Sequence, residues 1–157
     1  MSLQALSDQF EIRDMIVRYA NALDSRRFDW LDDIFTPDAY IDYRPTGGID
    51  GSYAAIREWL PPATGAFPHM CHLVGNIAVT VDGDRASART LCLNPVEVPA
   101  PAGGSQVMFL AMWYADELIR TPAGWRMTRR VQESCVQHNV PTHLSQMPGN
   151  QPKSRQA

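Results

Sequence analysis

The period of the apolar residues changes once along the chain, and that change sets what the chain can fold into. In the first 35 residues, Phe10, Ile12, Met15, Ile16, Tyr19, Ala20 and Leu23 recur three and four apart, which predicts one amphipathic helix. Asp8 with Glu11 predicts a capping box at its start. Trp30, Leu31, Ile34 and Phe35 predict the inward side of a second, short helix, stopped by Thr36-Pro37-Asp38. Ala39 to Tyr43 alternates as a short strand, and Thr46-Gly47-Gly48 and Asp50-Gly51 are turn material. Ser52 predicts the cap of a third helix carrying Ile56, Trp59 and Leu60 and ended by Pro61-Pro62. From residue 70 alternation takes over. Met70–Val81 and Arg85–Val98 read as strands joined by the hairpin turn Asp82-Gly83-Asp84. Gln106–Arg120 and Trp125–Cys135 follow, separated by Thr121-Pro122-Ala123-Gly124.

Helices first and antiparallel strands afterwards is the α+β order. The expected architecture is a curved, mostly antiparallel sheet wrapped by three N-terminal helices into a cone with an interior pocket, a concave space of the kind that holds small molecules. The 157 residues suit one domain. The cone is expected over residues 1–137, with a polar, Pro-rich tail over 138–157.

With a net charge of −3, the chain has no electrostatic reason to bind nucleic acid or an anionic membrane. Its best apolar run, Val107 to Ala115, is under half the ~20 residues of a membrane helix. No secretory signal is visible at the start. Cys71, Cys92 and Cys135 lack C-x-x-C spacing and read as reduced thiols, so a cytoplasmic location is expected.

His72 is the most informative residue. Alternation places Leu73, Ile77, Val79 and Val81 on one face and His72, Val74 and Asn76 on the other. A histidine on an apolar strand is either a hydrogen-bonded core residue or a base, and the residues alone leave both open. His69 lies three positions away, hence on the opposite face, so the two should not chelate one metal, and no metal site is expected. His138 and His143 fall in the tail. Asp24, just beyond Leu23 on the first helix, is either a solvated helix end or a partner that orients an imidazole. Tyr19, Tyr43, Asn94 and Tyr114 are polar groups on otherwise apolar faces, and Arg129, alternating with Met127 and Val131, is expected to point inward. Phe28, Trp59, Met70, Met108, Met112 and Trp113 are candidate pocket walls, although such stripes are more often plain core.

These segments assemble into a pattern. The run Tyr19-Ala20-x-Ala22-Leu23-Asp24-x-Arg26-x-x-Asp29-x-Leu31 is followed by Phe35-Thr36-x-Asp38-Ala39-x-x-Asp42-Tyr43, by His72-x-x-Gly75-Asn76, and by Gly124-Trp125-Arg126. Over roughly residues 8–136 it resembles the SnoaL-like proteins of the nuclear-transport-factor-like superfamily, and its closest functional branch is similar to scytalone dehydratase. The resemblance implies a catalytic pair, Asp24 and His72, of the kind also found in bile-acid dehydratase and hexachlorocyclohexane dehydrochlorinase families. It implies substrate contacts from Tyr43 and Tyr19. Leu23 stands where the scytalone enzyme has a tyrosine, Asn94 falls at or beside its second histidine, and Tyr114 falls near a polar pair.

The activity so implied is that of a cofactor-independent, dehydratase-like lyase. His72 would take a proton next to a carbonyl, Asp24 would orient it and support its charged form, and Tyr19 and Tyr43 would polarise the carbonyl or assist departure of hydroxide. The implied substrate is a sizeable apolar small molecule, such as a polyketide, steroid or aromatic metabolite. The same pocket could host an isomerase, a polyketide cyclase or an epoxide hydrolase, and cones of this kind also serve as non-catalytic binding or structural modules. Three helices cover one side of a curved sheet, so the face carrying Leu91, Leu93, Val107, Phe109, Ala111 and Trp113 is expected to pack in a homo-oligomer, a dimer or trimer.

Overall fold

A computed structural model describes residues 2–100 and 102–145. Helix α1 (Leu3–Asp24) starts seven residues before Phe10, capped by Ser2, whose Oγ accepts the Ala5 N–H at 3.1 Å. Asp8 and Glu11 therefore do not cap it. Asp8 instead occupies a core-facing position in phase with Ile12, Met15, Ile16, Tyr19 and Leu23, while Phe10, one side off that face, is 72% exposed. The second helix is a single 3₁₀ segment (Phe28–Asp33), which buries Leu31 but leaves Trp30 half exposed beneath the Arg27 guanidinium.

Strand β1 (Phe35–Asp42) runs through Thr36-Pro37-Asp38, with a register irregularity where the proline interrupts the ladder. Asp50-Gly51 is part of a short strand, β2 (Asp50–Ser52), and not a turn. Helix α2 (Tyr53–Thr64) is capped by Ser52 as expected, but it continues past Pro61-Pro62. Side chains serve its last carbonyls: Thr64 Oγ1 donates to Leu60 O at 2.7 Å, and Arg26 Nη1 donates to Thr64 O at 3.0 Å.

Strands β3 (Leu73–Asp82), β4 (Arg85–Pro99), β5 (Ser105–Thr121) and β6 (Gly124–His138) form an antiparallel meander. Gly83, at φ +58°, makes the tight turn between β3 and β4, a conformation closed to most side chains. The sheet order is β2-β1-β6-β5-β4-β3, and the β1–β6 pair is parallel. This is the expected α+β cone: α1 packs across β3 and β6, α2 lies on β1, and the inner faces of the three long strands meet them. A short helix, α3 (Thr142–Ser145), follows β6. No helix among the described residues is long and apolar enough to cross a membrane.

Three extra residues break the alternation. One lies between Gly75 and Ala78, where Asn76 adopts φ +48°, so Val74 and Ile77 both turn inward and Leu73 faces out, 66% exposed. A second lies between Met127 and Arg129, opposite Glu117 and Leu118. It moves the inward phase to Arg130 and Gln132, which are buried, and leaves Arg129 on the outside beside Tyr40 and Glu117. The third, between Glu133 and Val136, puts Val136 outside.

Candidate active site

The candidate site begins where α1 ends. A carboxylate at a helix C-terminus faces the negative end of the helix dipole, so Asp24 gains nothing there from the helix itself. Its partner is His72: Asp24 Oδ1 lies 2.6 Å from His72 Nδ1, and Oδ2 accepts the His72 backbone N–H at 2.8 Å. One carboxylate thus grips the residue by ring and backbone together. With Nδ1–H donated to Asp24, the neutral ring keeps its lone pair on Nε2. Asn94, on the neighbouring strand β4, places Nδ2 3.1 Å from that atom. The Asn94 side chain is buried, and its Oδ1 has no hydrogen-bond partner.

Across the site, the hydroxyls of Tyr19 (α1) and Tyr43 (just after β1) meet at 2.5 Å. Burial pushes the Tyr19 hydroxyl above its ordinary range and those of Tyr43 and Tyr114 well above it, so all three stay protonated donors. Behind them lies Arg130, fully buried. Its Nε and Nη2 each donate to Asp116 at 2.7 Å, and its guanidinium sits 3.9 Å from the Tyr19 ring centroid and 4.3 Å from that of Tyr114. Burial works against its charge, but Asp116 outweighs it, so Arg130 stays protonated. Cys92, inward between Thr90 and Asn94, is free, and burial pushes its thiol up to about 11.

These groups face a cavity of about 490 Å³ between the sheet and α2. Tyr19, Tyr43, His72, Asn94 and Tyr114 all line it, so the sequence-predicted site residues share one space, with Asp24 behind His72. Trp59, Met70, Met108 and Met112 are walls as expected. Phe28 is core away from the cavity, and Trp113 lies on the outer face beneath Arg89, whose guanidinium is 4.0 Å from its ring centroid. Arg26, in the left-handed conformation (φ +56°), braces the cavity by tying the end of α1 to the carbonyls of Thr64 and Phe67. His69 points to solvent toward Glu97, away from His72. The side chains of Cys135 and His143 lie outside the described residues.

Sequence reasoning missed Arg130, Gln132 and Thr46. Thr46 Oγ1 lies 2.5 Å from Gln132 Oε1, and both residues line the cavity. The run Met127 to Gln132 offers two adjacent arginines, and only the bulge decides which one enters.

Comparison with known proteins shows the family and the fold. The family model described as a SnoaL-like domain matches residues 4–131. Uncharacterized protein Rv2910c of Mycobacterium tuberculosis is 50% identical over 137 residues, spanning 87% of this chain and 92% of the relative. A candidate scytalone dehydratase from Novosphingobium aromaticivorans superposes with a TM-score of 0.75 at 20% identity, over 90% of this chain and 97% of the other. A type 2 hexachlorocyclohexane dehydrochlorinase gives 0.72 at 16% identity, over 88% and 95%. At those identities the two superpositions establish a shared fold.

Proposed function

The chain belongs to the SnoaL-like domain family, and from that premise we propose that it is a cofactor-independent lyase acting on a sizeable apolar small molecule. The observation that carries this reading is the double grip of Asp24 on His72, which fixes one tautomer and leaves Nε2 at the wall of a cavity. Fold neighbours named as a scytalone dehydratase and a dehydrochlorinase, both elimination enzymes by name, point the same way.

In the proposed reaction, His72 Nε2 takes a proton from the carbon next to a carbonyl, after Asn94 yields that atom. The C–H electron pair forms the new double bond as hydroxide leaves the neighbouring carbon. The proton carried by His72 joins it, so substrate becomes alkene plus water. Asp24 holds the ring and supports the imidazolium that forms in between. The Tyr19–Tyr43 pair donates to the carbonyl oxygen as negative charge develops there, and Tyr114 and Asn94 complete the substrate contacts. Base catalysis of this kind supplies on the order of 10²–10⁴-fold.

The experiment follows deuterium incorporation from D₂O into a panel of cyclic β-hydroxyketones, together with water loss. The expected outcome is that His72→Ala abolishes both and that Asp24→Asn slows them severely with little change in KM. Tyr43→Phe should cost no more than ~10²–10³-fold, the worth of one oxyanion donor. If the variants lower only the melting temperature, with activity per folded molecule unchanged, the pair is structural and the lyase reading is wrong. We also propose that the protein works as a homo-oligomer joined through the outer face of the sheet.

A further inference from the structure

None of the described residues lining the cavity is Asp, Glu, Lys or Arg. The nearest charges are paired, with Nη1 of Arg130 left buried without a hydrogen-bond partner. Asp24 commits both oxygens to His72, and Arg130, shielded by the rings of Tyr19 and Tyr114, is bidentate to Asp116. An ionised ligand would enter this space with no counter-charge, and desolvating an unpaired ion is costlier than apolar walls can return. The cavity therefore selects uncharged molecules.

Apart from Thr64, Tyr19, Tyr43 and Tyr114, the polar side chains that line the cavity fall in two sets. One set, His72 and Asn94, stands on the β3–β4 side, where buried Asn94 leaves Oδ1 unpartnered. The other, Thr46 and Gln132, stands on the β1–β6 side. Strand β5 runs between β4 and β6, and in the register Asn94 faces Leu110 while Gln132 faces Tyr114, so the two residues are set two strands and four residues apart along the sheet. Between them β5 turns Met108, Leu110 and Met112 to the cavity and, opposite Gln132 in the register, Tyr114. Gln132 is 7% exposed. The Thr46 hydroxyl has one proton and two oxygens in reach, Gln132 Oε1 at 2.5 Å and Tyr43 O at 3.0 Å, and the shorter bond holds the glutamine amide by its carbonyl. That orientation leaves the amide nitrogen without an acceptor among the described residues, on a side chain that lines the cavity.

We infer that Gln132, held by Thr46, is the second anchor of this pocket, and that its ligand is a rigid, uncharged polycyclic molecule with an oxygen at each end, one beside His72 and Asn94 and the other accepting from Gln132 Nε2. The inference takes from the proposed function only the choice of the His72 wall as the reacting end.

Calorimetric titration of the full chain with three probes tests it: androst-4-ene-3,17-dione, with a ketone at each end; androst-4-en-3-one, which lacks one of them; and 3-oxoandrost-4-ene-17-carboxylate, an anion at pH 7. The dione is expected to bind about tenfold more tightly than the monoketone, the worth of one net hydrogen bond, and the carboxylate more weakly than either. Gln132→Met should bring the dione-to-monoketone ratio close to one, whichever way round the monoketone sits. Thr46→Val, which frees the amide without removing it, should reduce the ratio in part. A carboxylate that binds as well as the dione, a Gln132→Met ratio equal to wild type, or no binding by any probe overturns the inference. Failure of the lyase reading shows elsewhere: His72→Ala would then leave turnover unchanged, whereas the Gln132 ratio is read from binding alone.

Discussion

Asp8 shows how one side chain can fasten four parts of the chain. It sits 3% exposed on α1, where its carboxylate accepts from Arg120 of β5 at 2.8 Å and from the Trp125 indole N–H of β6 at 3.2 Å. Arg120 in turn reaches Asp84, in the turn between β3 and β4, at 3.0 Å. The Arg120 hydrogen bonds hold the Asp8 carboxyl down at about 2 against the opposing effect of burial. The folded-state value lies below the unfolded one, so this stabilisation is fully present above about pH 4 and is lost as pH falls through about 2. Urea midpoints of the wild type should therefore drop steeply between pH 4 and pH 2. Asp8→Asn should start lower at pH 6, by about 1–3 kcal/mol for the buried donors left imperfectly paired, and change less on acidification. Parallel pH profiles for the two proteins would contradict this account. The same residue is also a lesson in reading sequence. Asp8 followed by Glu11 looks like a cap because both sit near a helix start. What distinguishes Asp8 is its phase with Ile12, Met15 and Tyr19, which places a carboxylate in the core and so demands a buried cation from elsewhere in the chain.

At the scale of elements, the geometry of the candidate site depends on where the strands are irregular. The body of helix α1, the β3–β4 hairpin and the order of helices before strands were legible, because period and turn chemistry act locally. The pairing of Asp24 with His72 came only from the resemblance, since nothing local brings residue 24 to residue 72. The inward placement of Arg130 and Gln132 was not legible at all. Alternation assumes an unbroken ladder, and one extra residue opposite Glu117 and Leu118 reverses the positions on β6 from there to the next extra residue, between Glu133 and Val136. The bulge in β3 carries one sequence trace, asparagine at the residue with φ +48°, a type that tolerates the left-handed region better than most. Asn76→Gly should therefore keep stability close to wild type. Asn76→Val should cost about 1–2 kcal/mol, the penalty for a left-handed residue with a branched side chain. Chemical denaturation measures both, and a Val variant as stable as the Gly variant would show that the bulge can relocate without cost.

For the whole molecule, the open question is what covers the outer face of the sheet. The register aligns Leu73, Leu93, Ala111 and Val136 in one row across β3, β4, β5 and β6, with Phe109 and Val107 further along β5. Leu73 is 66%, Leu93 39%, Phe109 42%, Val107 42% and Val136 69% exposed, so this is a continuous apolar surface and not scattered side chains. The rest of that face is different: Arg89, Glu117, Arg129 and Glu133 pair with one another there and suit solvent. The division matters for the mechanism, because the apolar row begins at Leu73, next to the residue that Asp24 holds. A partner packed on the row would stiffen the entry of β3 and with it the position of His72. Sedimentation equilibrium at micromolar concentration should give two or three times the 17.5 kDa chain mass. Val136→Lys, which sets a charge at the β6 end of the row, should shift the mass toward the monomer and lower activity while sparing the core beneath it. A wild type that sediments at 17.5 kDa would rule out the assembly. A monomeric Val136→Lys variant with full activity would keep the assembly but remove its hold on the active site.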